Sequence, residues 1–354
     1  MKLERGGPWI ETGGPESDVV VSSRARLARN LVGFPFVNQA SGDQCKEILR
    51  LVKSLDLSDH SMQWLDVVDL EESERQLLVE RHLVSRNFID AEMPRGLLIG
   101  DGERLSVMVN EEDHLRMQVL LPGCELQEAW RRASDIDRKL EQNVELSVHP
   151  RWGYLTACPT NVGTAIRFSV MTHLPALRMT NEIERLRRAA NALDLAVRGF
   201  YGEGSESTGD FYQVSNQITL GVSDADLLER FIDTIVPRIV EYERMARRMM
   251  LERSRMQLED RVHRSLGLLR SAKLLGVEEA MKHLSRVRLG VSMGLLDNLK
   301  LATVQRLFLD VQPGHLRMNN PDLPSLPGSA NPRQSNDEAI RLRRAEIVRK
   351  ALSP

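Results

Sequence analysis

The sequence predicts an α+β domain followed by an all-α one, and three observations carry that expectation. Residues 96–110 read as a β-hairpin: Gly96-Leu-Leu-Ile-Gly100, a turn at Asp101-Gly102, then Leu105-Ser-Val-Met-Val109. Segments of helical spacing flank that hairpin on both sides. From Asp224 to Leu309 the β signal fades, and Ile232, Ile235, Val236, Ile239, Ala246, Met249 and Met250 follow the i, i+3, i+4, i+7 rule of a helix with one buried stripe. This change of texture places a domain boundary near residues 222–228.

Residues 1–17, rich in Gly and Pro, read as a loose entry segment. The mixed domain then runs over 18–224. Gln44–Leu55 and Glu71–Val84 have helical spacing, with Leu77, Leu78 and Leu83 on the apolar side of the second. Glu125–Leu146 reads as a long amphipathic helix through Ala129, Ile136 and Leu140. Short β-like segments continue to Val170, and a helix is expected from Asn181, capped by that residue with Glu184 three positions on. Val197–Gly221 reads as a glycine-rich loop followed by a strand. A helical domain is expected over 225–318, and 319–354 as a linker (to 336) with a last charged helix, Asp337–Leu352.

Composition excludes several classes. A formal net charge of -2 over 354 residues argues against general attraction to nucleic acid or anionic lipid. Only eight of the 48 basic residues are Lys. The surplus of Arg reads as compositional bias, because bidentate anion binding explains a handful of arginines and not all of them. Cys45, Cys124 and Cys158, odd in number and irregularly spaced, indicate neither a disulfide framework nor a zinc site. The first residues lack the apolar core of a signal peptide, and no apolar run is long enough to span a bilayer. A reduced cytoplasm is the expected location.

Four short segments join chemically active residues to arginine at fixed offsets. They are Ser22-Ser-Arg-Ala-Arg26, Asn110-Glu-Glu-Asp-His-Leu-Arg116, Cys158-Pro-Thr-Asn-Val-Gly-Thr-Ala-Ile-Arg167 and Arg198-Gly-Phe-Tyr-Gly-Glu203. Each alone is bland: an exposed strand face, a solvated loop, a small core cysteine. In this order and together they resemble the guanidino phosphotransferases, the creatine and arginine kinase superfamily. The resemblance covers roughly residues 18–222. It implies an antiparallel sheet flanked by helices, and transfer of a phosphoryl group from ATP, with Mg²⁺, to a guanidinium nitrogen.

The resemblance also assigns roles. Glu112 falls on the catalytic base and Glu203 on a second carboxylate that grips the guanidinium. Arg24, Arg26, Arg116, Arg167 and Arg198 fall on a clamp for the nucleotide phosphates. Cys158 matches a cysteine beside the substrate, and His82, in Glu80-Arg-His-Leu-Val84, a histidine near the adenine. No residue is assigned to hold metal; Asp113 and His114 are expected to brace their loop. Gly202–Gly209 is expected to act as a lid, with Glu206 and Asp210 lacking a role. These parts suit the reaction. A guanidinium is a poor nucleophile with no free lone pair, so it needs a carboxylate to take its proton and hold its planar fork. The moving phosphoryl group needs positive charge around it.

Only 21 residues precede Ser22, too few for the helical domain that encloses the small substrate in creatine and arginine kinases. A helical domain follows instead, as in the bacterial protein arginine kinases, to which Gly153–Gly163 and Ser169–Ala176 are most similar in wording. The resemblance therefore implies protein substrates bearing exposed arginine and a Clp-type protease as partner; an activator protein is a further candidate, and the Met-rich apolar face of the helical domain suits self-association as a homodimer. A small-guanidine kinase is the alternative. One departure is Ile340-Arg-Leu-Arg-Arg-Ala345, where Ile340 and Arg341 replace the Arg-Asp of a phosphoarginine-sensing motif. A rival of another class, a non-catalytic regulator binding nucleic acid or a partner through Arg244–Arg264, is weakened by the acids Glu241, Glu243, Glu252, Glu259 and Asp260 interleaved with those arginines.

Overall fold

The computed structural model describes residues 6–55, 57, 62–90, 92–200, 208–320, 323 and 333–353. The strands are β1 Val20–Arg29, β2 Gln63–Asp66, β3 Gly96–Gly100, β4 Leu105–Val109, β5 Leu115–Pro122, β6 Val148–His149, β7 Gly153–Tyr154, β8 Ile166–His173, β9 Leu195–Arg198 and β10 Phe211–Asn216. Among the described residues, eight of them form one sheet in the order β2-β3-β4-β5-β1-β8-β10-β9, while β6 and β7 make a separate ribbon. Every pairing in the sheet is antiparallel.

Strand periodicity decides what this sheet does. Successive side chains point to opposite faces, and residues directly across an antiparallel pair share a face. Register sets Arg26 opposite Gln118 on one side and Arg167 on the other, and Arg24 opposite Leu120 and Ser169. Ser215 lies opposite Ser169, and Gln213 opposite both Met171 and Arg198. One face is thus polar and rich in arginine. The alternate positions, Ala25, Leu27, Met117, Val119, Phe168, Val170, Tyr212 and Val214, are buried in an apolar core on the other face.

Helices cover that apolar face. The helices among the described residues are α1 Gly42–Ser54, α2 Glu72–Glu80, α3 Arg86–Ile89, α4 Leu126–Asn143, α5 Pro175–Met179, α6 Ile183–Asn191, α7 Asp224–Arg230, α8 Val236–Ser271, α9 Val277–Ser292, α10 Leu301–Asp310, α11 Pro313–Met318 and α12 Arg333–Leu352. Ala129, Ala133, Ile136 and Leu140 of α4, and Ile183, Leu186 and Ala190 of α6, pack beneath the sheet. Ser41 and Gln44 form a reciprocal capping box at α1, a device that contributes about 1 kcal/mol.

Three expectations change. Asn181 does not cap a helix: it takes φ 60°, closing the short α5 opened by Pro175, and α6 starts after it. The helix expected to reach Val84 stops at Glu80, because His82 is left-handed at φ 57°. The entry segment, where described, is packed rather than loose. Trp9 is 1% exposed and donates its indole N–H to the Arg81 carbonyl at 2.9 Å, and Gln305 donates to the Ile10 carbonyl at 2.8 Å.

The helical half does not begin a new core where its sequence texture begins. Leu227, Leu228, Phe231, Ile235, Val236, Ile239, Val240 and Ala246 belong to the core beneath the sheet. Helix α8 then breaks at Ser254 (φ -149°, ψ 37°), and from Leu258 onward its apolar residues join a second core with α9, α10 and α12. That core also takes in Leu120, Met171 and Phe211 from the arginine-bearing face of the sheet, together with Trp9 and Phe200. Each fully buried large side chain there contributes about 1.5–3 kcal/mol. One face of the sheet is therefore divided between a dry apron under the helical half and an open polar site.

Candidate active site

The open part of that face forms a cavity of about 650 Å³. It is lined by Arg24 and Arg26 from β1, Arg116 from β5, Arg167 from β8 and Arg198 from β9, with His82, Glu112 and Cys158. Eight of the nine residues singled out in the sequence meet there. The ninth, Glu203, lies outside the described residues, as does the loop Gly202–Gly209 up to residue 207.

The arginines come from adjacent strands at matched register, so they crowd one another. Burial, then Arg167, Arg116 and Arg198, push the Arg24 guanidinium down to about 10. Burial, then Arg116, Arg24 and Arg167, push Arg26 well below its ordinary value, with Glu111 pulling the other way. A guanidinium stays protonated through such shifts, so these are buried charges crowded by like charges, a strain that an incoming anion would relieve. Neutral groups hold the crowded side chains in place. Arg24 donates to Ser169 Oγ at 3.2 Å and to Gln213 Oε1 at 2.8 Å, and Arg167 Nε donates to Ser215 Oγ at 3.3 Å.

The two adjacent acids differ. Glu111 is buried, pairs with Arg116 at 2.6 Å, and accepts from the Ser85 hydroxyl at 2.7 Å and the Glu112 amide at 2.8 Å. Burial raises its carboxyl pKa, but Arg116, Ser85 and the Glu112 amide together bring it below the usual range. Glu112 meets Arg116 at 2.8 Å and its side chain is 44% exposed. Of the pair, Glu111 is committed to structure and Glu112 faces the cavity.

The turn carrying these acids is braced as expected. Asn110, at φ 62°, bonds the Cys45 and Pro94 carbonyls through its amide at 2.9 and 3.0 Å. Asp113 accepts from Asn30 and from the Ala157 amide, both at 2.7 Å, and so ties the Glu112 turn to the segment before Cys158. His114 Nδ1 accepts from the Leu31 amide at 2.9 Å, which puts the ring proton on Nε2, facing the Pro35 carbonyl at 2.8 Å. Cys158 Sγ lies 3.0 Å from Thr160 Oγ1. His82 stacks edge-on against Trp9 (4.7 Å) and Phe200 (5.0 Å), and burial, then Arg24 and Arg86, lower its pKa to about 3, so its ring is neutral.

Several lining residues carry no motif. Gln213, and Ser215 behind it holding Arg167, are polar positions at period two in a strand and so legible in principle; Arg86 and Arg95 do not stand out among so many arginines. Among the described residues no group of three or more His, Cys, Asp or Glu is placed to hold a metal ion. Outside the cavity, Arg344 of the altered C-terminal motif donates to the Val311 and Leu275 carbonyls at 2.7 and 2.8 Å. Among the described residues no helix is long and apolar enough to cross a membrane.

The chain is similar to known proteins over most of its length. The family described as ATP:guanido phosphotransferase, C-terminal catalytic domain, matches residues 44–246, and the protein-arginine kinase McsB C-terminal domain matches residues 255–354. The protein-arginine kinase of Halothermothrix orenii is 43% identical over 313 residues, covering 87% of this chain and 89% of that one. That of Bacillus subtilis is 39% identical over 350 residues, covering 97% and 93%. Among solved structures, the duplicated taurocyamine kinase of Schistosoma mansoni with bound transition-state analogue components superposes with a TM-score of 0.61 at 25% identity, covering 69% of this chain and 36% of that one. Lombricine kinase gives 0.57 at 24% identity, covering 68% and 70%, a likeness of fold.

Proposed function

Since the chain belongs to the ATP:guanidino phosphotransferase family, within its protein-arginine kinases, we propose that its cavity places the phosphates of ATP along Arg24, Arg26, Arg116, Arg167 and Arg198 and phosphorylates arginine side chains of proteins at Glu112. The single observation that carries the site reading is the convergence of those cations, drawn from four different strands, on one open cavity beside one exposed carboxylate.

Glu112 accepts the proton from the attacking guanidinium nitrogen, which forms its bond to the γ-phosphorus as the bond to the β,γ-bridging oxygen breaks and ADP leaves. The arginines spread their charge over the oxygens of the moving group and take up the charge left on ADP. Arg116 has a second task. It holds Glu112 while the phosphates are absent, and a competing phosphate frees that carboxylate for the acceptor. Mg²⁺, when bound, would neutralise phosphate oxygens. The acids lining the cavity, Glu111 and Glu112, are both engaged with Arg116, so this donor set suits a metal carried in on the nucleotide rather than a protein cage. Glu203, by its motif, takes the second grip on the acceptor guanidinium.

Casein with Mg²⁺ and ATP is the test. Purified protein should give acid-labile phosphoarginine, and Glu112→Gln should lower kcat by about 10²–10⁴-fold with folding intact. Phosphate on Ser or Thr only, or near-normal turnover by Glu112→Gln, overturns the assignment. Delivery of the product to a Clp-type protease rests on the family resemblance; an activator protein, a homodimer through the apolar face of the helical domain and a cytoplasmic location complete the reading.

A further inference from the structure

Helix α9 reaches from the second core to the sheet and touches it through two buried side chains one turn apart, Ser285 and Arg288. Arg288 donates to the carbonyls of Ser17 (2.8 Å) and Asp18 (3.0 Å) and to Gln305 Oε1 (3.1 Å), and its Nη1 lies 2.7 Å from His173 Nδ1. A guanidinium has only donors, so Nδ1 must accept. The ring proton therefore sits on Nε2 and is given to Ser285 Oγ at 2.9 Å. With that lone pair used, the Ser285 hydroxyl donates to Asp210 Oδ2 at 2.6 Å. The chain of bonds has one direction: arginine, histidine, serine, carboxylate.

Its end point is the start of β10. Asp210 takes φ 58° after Gly209 at φ 68°, a left-handed pair that needs outside support, and its carbonyl accepts from the Leu174 amide at 2.9 Å. The next residue, Phe211, packs its ring against Phe308 of α10 (4.7 Å) and His173 (5.0 Å). Two and four residues further along the strand, Gln213 and Ser215 hold Arg24 and Arg167. Only a few residues of laddered strand lie between the helical half and the groups that aim two of the clamp arginines.

We propose that Ser285 and His173 are positioning residues for the phosphate clamp, fixing the start of β10 through Asp210 so that Gln213 and Ser215 present Arg24 and Arg167 to the nucleotide. This rests on the reading of the cavity as an ATP site. The helical half then sets nucleotide affinity as well as sitting beside the kinase fold.

The test uses the full chain and Mg-ATP, measuring Kd by calorimetry together with kcat and the KM values for ATP and casein. Ser285→Ala should raise the ATP Kd and KM about three- to tenfold, the scale of one buried hydrogen bond, and leave the casein KM near its starting value. Ser285→Thr should restore both ATP constants. Ser265→Ala, which removes another buried hydroxyl of the same half, bonded to His283 at 3.1 Å, should lower the melting temperature without moving the ATP constants. If Ser285→Ala does not fold, Ser285→Cys, similar in size but a weak donor, is read in its place. Unchanged ATP constants in the Ser285 variant, no rescue by Thr, or an equal loss in Ser265→Ala overturns the inference while the site reading stands. A wild-type chain that binds no ATP refutes the site reading, and the inference falls with it.

Discussion

Arg24 and Arg29 leave the same strand five residues apart and meet opposite fates. Arg29 falls on the odd, core-facing side of β1. It forms a two-point pair with Asp137 of α4, at 2.9 and 2.5 Å, and stacks on the Tyr154 ring at 3.5 Å. Arg24 falls on the even side, where Ser169 and Gln213 hold it and other arginines surround it. One cation is settled and the other is poised. The difference teaches that the partners of an arginine, rather than its burial, separate a structural role from a waiting ligand site.

The contrast can be broken from either side. Arg29→Leu should cost about 3 kcal/mol of stability by stranding a buried carboxylate. Burial already raises the Asp137 pKa in spite of Arg29, so the stranded acid should take up a proton. Chemical denaturation would register the loss, and kcat of the folded fraction should stay near wild type. Arg26→Ala should do the reverse, lowering kcat/KM for ATP about 10²–10³-fold. Its melting temperature should hold or rise, since repulsion from Arg116, Arg24 and Arg167 is removed. An Arg26 variant that unfolds while keeping its kinetics would erase the distinction.

The smallest effect concerns pH. His82, with its pKa near 3, holds no proton at pH 5 in the folded chain, whereas the unfolded chain binds one below the ordinary 6.5. The unfolded state gains protons in that window. Stability should therefore fall as pH drops below 6.5, by at most ~1.4 kcal/mol per unit for this group, and be indifferent to pH above it. His173, under the helical half, is lowered in the same direction by burial, then Arg288 and Arg247. Melting curves of His82→Gln should be flatter between pH 6.5 and 5. Equal slopes would mean that His82 takes up a proton without unfolding.

Sequence reading reached the site further than it reached the packing around it. Alternation in Ser22-Ser-Arg-Ala-Arg26 places Arg24 and Arg26 on one face, and four motifs brought seven residues to one cavity, with His82 the eighth from a separate segment. Periodicity could not separate Glu111 from Glu112, because a turn has no period to sort neighbours; the family motif singled out Glu112, and Ser85 and Arg116 are what engage Glu111. Trp9 and Ile10 were missed as well. Two apolar residues among glycines and prolines make no pattern, and their burial depends on α10 and the Arg81 carbonyl, distant in the chain. Asp210 looked idle because its partner Ser285 is supplied by another core.

Helix α8 serves two masters, and that bears on anyone wishing to pare the protein down. Severing the chain near Ser223 would strip Leu227, Phe231 and Ile239 from beneath the sheet. Severing it at the Ser254 break would spare that layer but bare Leu120, Met171, Phe200 and Phe211 to water. Neither cut yields a clean minimal enzyme. A shortened version would first need its greasy upper surface redesigned.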